Sequence, residues 1–250
     1  MQTTFFFPLY RLCAVVFLFQ SGFALAEIHG TITGTTNYIS RMYSKSAGNP
    51  AIQGNLDYQH SSGVYVGASA SSFDIGRNEQ EEDLIYPNAA QVEVTPYVGW
   101  SYQFADDWRM DLQYSRYIYD NLIFSRPGDY SEYYLFLHYK SYLSAQFSYS
   151  NDFYGLKGDS FFYELTGRYP LTDYLEFSSA FGYARVKDVQ DADYPYWNAG
   201  LTGRYKFIAL DLRYYDASEI YYLDELGGNI SPDHPVTLKA TVVFSISVGF

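Results

Sequence analysis

Cysteine is all but missing: the 250 residues hold one, Cys13. A single thiol forms no disulfide within the chain and builds none of the cysteine clusters that hold zinc or iron–sulfur. Histidine is scarce as well. His29, His60, His138 and His234 stand at no metal-ligand spacing, so no metal and no cofactor is expected. Basic residues number 16 against 28 acidic ones, a net charge of −12, which disfavours nucleic acid or an anionic bilayer surface as partner. No apolar run approaches the ~20 residues of a membrane helix. Amphipathic helical patterns, nucleophile elbows and phosphate-cradling glycine loops are absent too.

What is abundant is aromatic. Phe, Trp and Tyr make up 20% of the chain, with 29 Tyr. In a membrane barrel such rings have a place at both interfaces, where an apolar body meets a wet hydroxyl or N–H. The first 26 residues read as a secretory signal peptide. Arg11 gives the positive start, Leu12 to Phe19 the apolar centre, and Ala24-Leu25-Ala26 the small-x-small site before Glu27. Phe5, Phe6 and Phe7 ahead of Arg11 are unusual and leave an uncleaved anchor open. Cleavage would remove Cys13 and leave residues 27–250 with 15 basic and 28 acidic residues, a net charge of −13.

The organising stretch is Val236 to Phe250. Val236, Leu238, Ala240, Val242, Phe244, Ile246, Val248 and Phe250 alternate with Thr237, Lys239, Thr241, Val243, Ser245, Ser247 and Gly249. A period of two places an apolar set on one face of a strand and a mostly polar set on the other. A strand of a soluble sandwich alternates likewise, but this one is about twice the usual length. Its end resembles the C-terminal strand of bacterial outer-membrane proteins. There the alternating residues and a terminal aromatic mark the chain for barrel assembly, here Phe244, Ile246, Val248 and Phe250.

Eleven further segments are candidate strands, most of them alternating and the first, mostly Thr and Gly, more weakly: 28–43, 51–60, 64–74, 91–104, 108–119, 130–139, 142–150, 161–169, 174–186, 194–205 and 207–216. The connections sort by length. Short ones at 61–63, 105–107, 140–141, 170–173 and 206–207 alternate with long ones at 44–50, 75–90, 120–129, 151–160, 187–193 and 217–235. Strands running up and down put all short turns at one end and all long loops at the other, as in a membrane barrel with short periplasmic turns and longer extracellular loops. A Greek-key sandwich has no reason to do so. The expected fold is therefore all-β, a transmembrane antiparallel up-and-down β-barrel of about 12 strands, with the last strand closing on the first. Acids gather in the long loops: Glu79 to Asp83, Asp188, Asp191, Asp193, Glu219, Asp224 and Glu225. Their simplest reading is solubility, the other a cation bridge to lipopolysaccharide.

Several motifs, taken in order, resemble one proteobacterial family. They are Tyr38-Ile-Ser-Arg41, Ser44, Pro50-Ala-Ile-Gln-Gly54, Gly63-Val-Tyr-Val-Gly67, Glu93, Tyr97 and Gly99. They continue with Tyr117-Ile-Tyr119, Asp129-Tyr-Ser-Glu132, Tyr149-Ser-Asn-Asp152, Tyr169-Pro-Leu171, Tyr194 and Trp197. The order of these weak motifs is similar to that of the TorF-type porin family, earlier catalogued as proteins of unknown function. Met42 stands where that family usually has Gly, Thr95 stands in place of Asp, and Asp120 in place of Pro. The resemblance implies an outer-membrane barrel and, by label, a channel; it brings no substrate and no catalytic residue.

On the inward face the alternation predicts pore-lining side chains: Arg41, Gln53, Asp57, Glu93, Arg109, Asp111, Glu132, His138, Lys140, Glu164, Arg168, Glu176, Arg204, Asp211, Arg213 and Lys239. Charges of both signs interleave, so they either tune a narrow aqueous passage or pair and plug it. Small inward residues such as Gly67, Ser69, Ser144 and Gly182 favour the passage. His60-Ser61-Ser62 suggests a nucleophile, but it falls in a short turn at the end opposite to where a barrel lipid hydrolase works. The expected protein is no enzyme but a channel of the Gram-negative outer membrane for small hydrophilic solutes or ions. Its partners would be outer-membrane lipid and lipopolysaccharide, the barrel-assembly machinery and the solute. An integral enzyme acting on lipid, or a plugged structural or adhesive barrel, are the alternatives.

Overall fold

The computed structural model describes residues 26–74, 89–123, 126–190, 192–217 and 240–250. The strands are β1 (Ala26–Thr35), β2 (Ile39–Ser40), β3 (Tyr43–Ser44), β4 (Ala51–His60), β5 (Val64–Ser72), β6 (Val92–Ala105) and β7 (Trp108–Tyr119). They continue with β8 (Tyr130–Tyr139), β9 (Leu143–Ser150), β10 (Ser160–Pro170), β11 (Leu175–Arg185), β12 (Tyr194–Tyr205), β13 (Ile208–Asp216) and β14 (Thr241–Gly249). Apart from β2 and β3, which pair only with each other, these form one closed antiparallel barrel of twelve strands. Each pairs with its sequence neighbours, and β1 with β14 closes the ring. Among the described residues the one α-helix is a single turn, α1 (Lys187–Gln190).

Strands of 8 to 14 residues match the ~9–11 that a tilted strand needs to cross a bilayer. Their outward side chains are apolar and bare: Ile52 is 68% exposed, and Leu212 and Leu56 are 53%. A continuous apolar exterior is a heavy liability in water and the ordinary wall of a barrel in lipid. Rings flank the aliphatic band at both ends. Trp100 stacks on Tyr102 at 5.2 Å and Trp108 packs tilted against Tyr139 at 5.0 Å near the short turns, and Trp197 packs tilted against Tyr214 at 5.3 Å nearer the long loops.

One strand end differs markedly from the alternation pattern. The first barrel strand stops at Thr35, not Tyr43, because polar side chains there satisfy a turn better than a ladder does. Thr35 Oγ1 donates to the Asn37 carbonyl at 2.9 Å, and Asn37 Oδ1 accepts from Ser44 Oγ at 2.6 Å and Ser46 Oγ at 3.2 Å. The last strand is described from Thr241; its expected start at 236–239, with Lys239, lies outside the described residues, as do the loop acids at 79–83, 191, 219, 224 and 225.

Glycines let rings lie flat across the pleat. Opposite Phe250, Gly30 exchanges two 2.9 Å backbone hydrogen bonds with it, and a Cβ on Gly30 would collide with the Phe250 ring. On the inside the same fit joins Gly182 to Tyr196 across β11 and β12. The closing seam is thus a main-chain ladder with an aromatic ring seated over a vacant Cβ position. Gly30→Val should cost about 1–3 kcal/mol of barrel stability through overpacking. Gly54→Ala, with nothing within 4 Å of its Cβ position, should leave the urea midpoint in lipid vesicles nearly unchanged. Equal midpoints for the two variants would count against the seated ring.

Candidate functional site in the lumen

The connection 36–50 carries Arg41 and Lys45 and no acid, unlike the acidic long loops. It does not stand away from the barrel. β2 and β3 form a minute hairpin whose tip residues, Arg41 and Met42, both have positive φ, 51° and 67°. A two-residue hairpin demands that left-handed backbone, and side chains larger than Gly adopt it at a cost. Met42 occupies the position where the TorF-type pattern has Gly.

The hairpin tip lies inside the barrel. Arg41 Nη2 donates to Glu132 Oε1 at 2.6 Å and to Ser148 Oγ at 3.0 Å, while its guanidinium lies 3.7 Å from the Phe162 ring centroid. The Tyr194 hydroxyl donates to the Arg41 carbonyl at 2.9 Å. Lys45 Nζ donates to Glu93 Oε2 at 2.7 Å, and Glu93 also accepts from the Tyr38 and Tyr119 hydroxyls at 3.1 and 2.8 Å. Glu132 is fully buried, and its other oxygen accepts from Tyr134 at 2.7 Å. Burial opposes charge on Arg41 and Lys45, but Glu132 and Glu93, with nearby tyrosines, outweigh it and hold both pKa values well above the ordinary range.

Above the hairpin, loop residues Phe153 and Tyr154 turn inward, Tyr154 with φ 52°. Phe153 packs 5.2 Å from Phe162, and Tyr154 packs 5.1 Å from Tyr130. With Met42, Tyr43 and Tyr194 they form the main buried apolar cluster. The barrel is therefore capped at its long-loop end by its own connections.

Towards the short-turn end the wall is polar and its charges are mostly matched. Arg213 meets Asp211 at 2.9 Å and also donates to Asn198 and Ser178, both at 2.8 Å. Arg204 lies 3.3 Å from Glu176, and Arg109 3.4 Å from Asp111. His138 bridges Asp111 at 2.8 Å and Ser144 at 2.9 Å, and Arg168 Nη1 donates to Ser144 Oγ at 2.9 Å. Gln53 and Asp57 stand on β4, opposite Ser71 and Gly67 of β5. Glu164 faces inward on β10 and takes one hydroxyl bond, 3.3 Å from Thr166.

Two residues expected along the passage sit elsewhere. Arg41 belongs to the inserted hairpin, because the strand that would have carried it ends at Thr35. Lys140, with φ 48°, sits in the turn after β8 and reaches Asp107 at 3.3 Å, since the chain there must reverse. The outward set Phe244, Ile246, Val248 and Phe250 lies exposed along the closing strand. Alternation alone gave no sign of Lys45, Tyr154 or the tyrosines under the hairpin. The available signal was compositional: two cations in an acid-free loop, with Glu93 and Glu132 on the facing wall.

Asp111, His138 and Ser144 have the order of acid, base and nucleophile. Arg168 nevertheless occupies the same Ser144 Oγ, and strand N–H groups are committed to the ladder rather than to an oxyanion. Among the described residues no group of three or more His, Cys, Asp or Glu could hold a metal.

A closed antiparallel barrel, apolar outside and polar inside, defines the class of membrane β-barrels. The chain belongs to the Gcw_chp family, bacterial proteins of unknown function, whose family model matches residues 20–248. No curated protein matches the chain in sequence. Its fold is similar to that of a KdgM porin, 8% identical over 90% of this chain and 98% of that one, with a TM-score of 0.50. A NanC porin is 12% identical over 91% and 99%, with a TM-score of 0.49. A monoaromatic hydrocarbon channel, a TodX mutant, is 12% identical over 91% and 89%, with a TM-score of 0.48.

Breaking one half of a buried pair should be expensive, about 3–5 kcal/mol, because the other charge stays behind unpaired. Arg41→Met should lower the urea midpoint sharply through the stranded Glu132. Adding Glu132→Leu to it should recover most of the loss. A double variant no better than the single would show that the pair is not coupled.

Proposed function

We propose that the protein is an outer-membrane channel for small hydrophilic solutes or ions, with passage set by the first external loop held in the lumen. The observation that carries this reading is the polar, charge-matched wall below a stopper made of loop. Twelve strands enclose more room than their own side chains fill, since ~8 already give an interior that side chains can close. The stopper is a separate piece of chain, tied to the wall largely through Arg41–Glu132 and Lys45–Glu93. The TorF-type resemblance and the porin-like fold support the same reading, as do the matched ion pairs, which let a neutral or singly charged solute pass without a deep electrostatic trap.

In this reading residues 1–26 export the chain and are removed. Phe244, Ile246, Val248 and Phe250 present it to the barrel-assembly machinery, and lipid and lipopolysaccharide surround the belt. Arg109, Glu176, Arg204 and Arg213 line the passage. A permanently plugged structural barrel is the second reading, favoured by the buried aromatic cap of Phe153, Tyr154 and Phe162.

Planar-bilayer recording separates the two. Wild-type protein should show small or infrequent openings, and deletion of 38–46 should give a stable level several times larger. Arg204→Gln should then shift that level's ion selectivity towards cations. A deletion variant that inserts, folds and stays silent at every voltage would overturn the channel and leave the plugged barrel.

A further inference from the structure

Directly under the hairpin tip lies a cavity of about 340 Å³, at the small end of the ~300–1,000 Å³ range of ligand pockets. Tyr117, Tyr134, Tyr196 and Tyr215 give it aromatic walls. The Tyr117 ring is stiffened by stacking on Tyr130, 4.4 Å away and nearly parallel, and Tyr134 by stacking on Phe136 at 5.6 Å. Tyr196 is held flat by the missing Cβ of Gly182. These rings are pre-set surfaces rather than swinging side chains.

Polar groups with unspent capacity converge on the same space. Gln146 lines it with an amide that makes no hydrogen bond to any described residue. Asn198 gives its oxygen to Arg213 and keeps its amide N–H donors. Glu164 has the long bond from Thr166, a loose contact with the Tyr196 hydroxyl and no ion pair among the described residues. Beside it the Tyr196 hydroxyl, on a residue only 3% exposed, makes no well-formed hydrogen bond. A buried hydroxyl held only loosely, by Glu164, is uncommon enough to require a reason.

The charge pattern selects the ligand. An anion would meet Glu164, with Glu132 and Glu93 close behind. A cation would meet Arg41 and Lys45, both of which line the cavity. A neutral molecule whose groups both donate and accept satisfies the whole set. Alternating hydroxyls over an apolar C–H face, suited to the tyrosine rings, describe a sugar ring. We propose that this cavity binds one neutral monosaccharide ring. Glu164, Gln146, Asn198 and the Tyr196 hydroxyl take its hydroxyl groups, and the tyrosines take its face. The proposal rests on the channel reading for its role, a solute subsite on the passage, but not for its chemistry.

Saturation-transfer NMR on the full barrel in detergent tests the site without requiring conduction. The probes are glucose, galactose and mannose, with glucosamine as the cationic and glucuronate as the anionic counterpart. At least one neutral sugar should receive saturation at its ring C–H protons, more strongly than either charged analogue. Glu164→Gln and Gln146→Ala, each checked for folding by circular dichroism, should weaken that binding at least tenfold. Absence of binding by all three neutral sugars, preference for a charged analogue, or full binding by both variants would each overturn the site. Binding by a barrel that proves silent in bilayers would overturn the channel and leave the site standing. Conduction without binding would do the reverse.

Discussion

Hydrocarbon offers no hydrogen-bond partner to a peptide group, and everything else in this protein is arranged around that constraint. Each backbone N–H and C=O in the spanning strands must meet another strand, so the sheet tolerates no edge. The seam between β1 and β14 is where the requirement is hardest to meet, because the two strands come from opposite ends of the sequence. Thr31 to Thr35 pair with Gly249 to Ser245, and Gly30 with Phe250 adds the last two bonds. Thr33 Oγ1 and Ser247 Oγ, 2.8 Å apart, add a side-chain bond inside the seam.

Closure creates the second problem. A ring of twelve strands is too wide to fill with one layer of inward side chains, and an empty interior strands its charges. The chain solves this in two ways along the axis. On the wall below the hairpin, acids and bases pair along one strand, as Arg213 does with Asp211, or between neighbouring strands, as Arg204 does with Glu176. Near the long loops, Glu93 and Glu132 take no ion pair from a base of the wall, since Arg109 and Arg116 of β7 go to Asp111 and Asp129, and the first loop supplies Lys45 and Arg41. The hairpin is thus the missing half of the lumen's charge pairing, and that is why it is inside.

The barrel was legible in the sequence because it rests on local signals. Strands such as 51–60, 108–119, 130–139 and 194–205 follow from a period of two, and their order around the ring from the lengths of the connections between them. The inserted hairpin was not legible in the same way. Tyr38 to Tyr43 reads as the end of a weakly patterned first strand, and local pattern cannot distinguish a strand in the wall from one folded within it. What decides the matter is the hydrogen bonding of Asn37 to Ser44 and Ser46, together with two distant carboxylates, Glu93 and Glu132. Those contacts span 48 and 91 residues, well beyond the reach of any local pattern. The cavity was hidden for the same reason, since its floor is wall and its roof is loop.

The hairpin is tied by ion pairs as well as by the apolar packing of Met42 and Tyr43, and the ionic part has a physical consequence. A purely apolar stopper is stable wherever it excludes water, and leaving its seat exposes surface that water rejects. A buried ion pair gains far less over its separated, hydrated partners, because desolvation nearly cancels the Coulomb attraction. Arg41 and Lys45 lose their partners on leaving the lumen but recover water, and Glu93 and Glu132 would be rehydrated by the passage that opens. The positive φ angles at Arg41 and Met42 store further strain in the seated state. The aromatic neighbours Phe162, Tyr194 and Tyr154 hold the seat in shape whether or not the tip is in it, being packed on one another and on the wall. Seating is then a balance of matched charge and buried apolar contact against backbone strain.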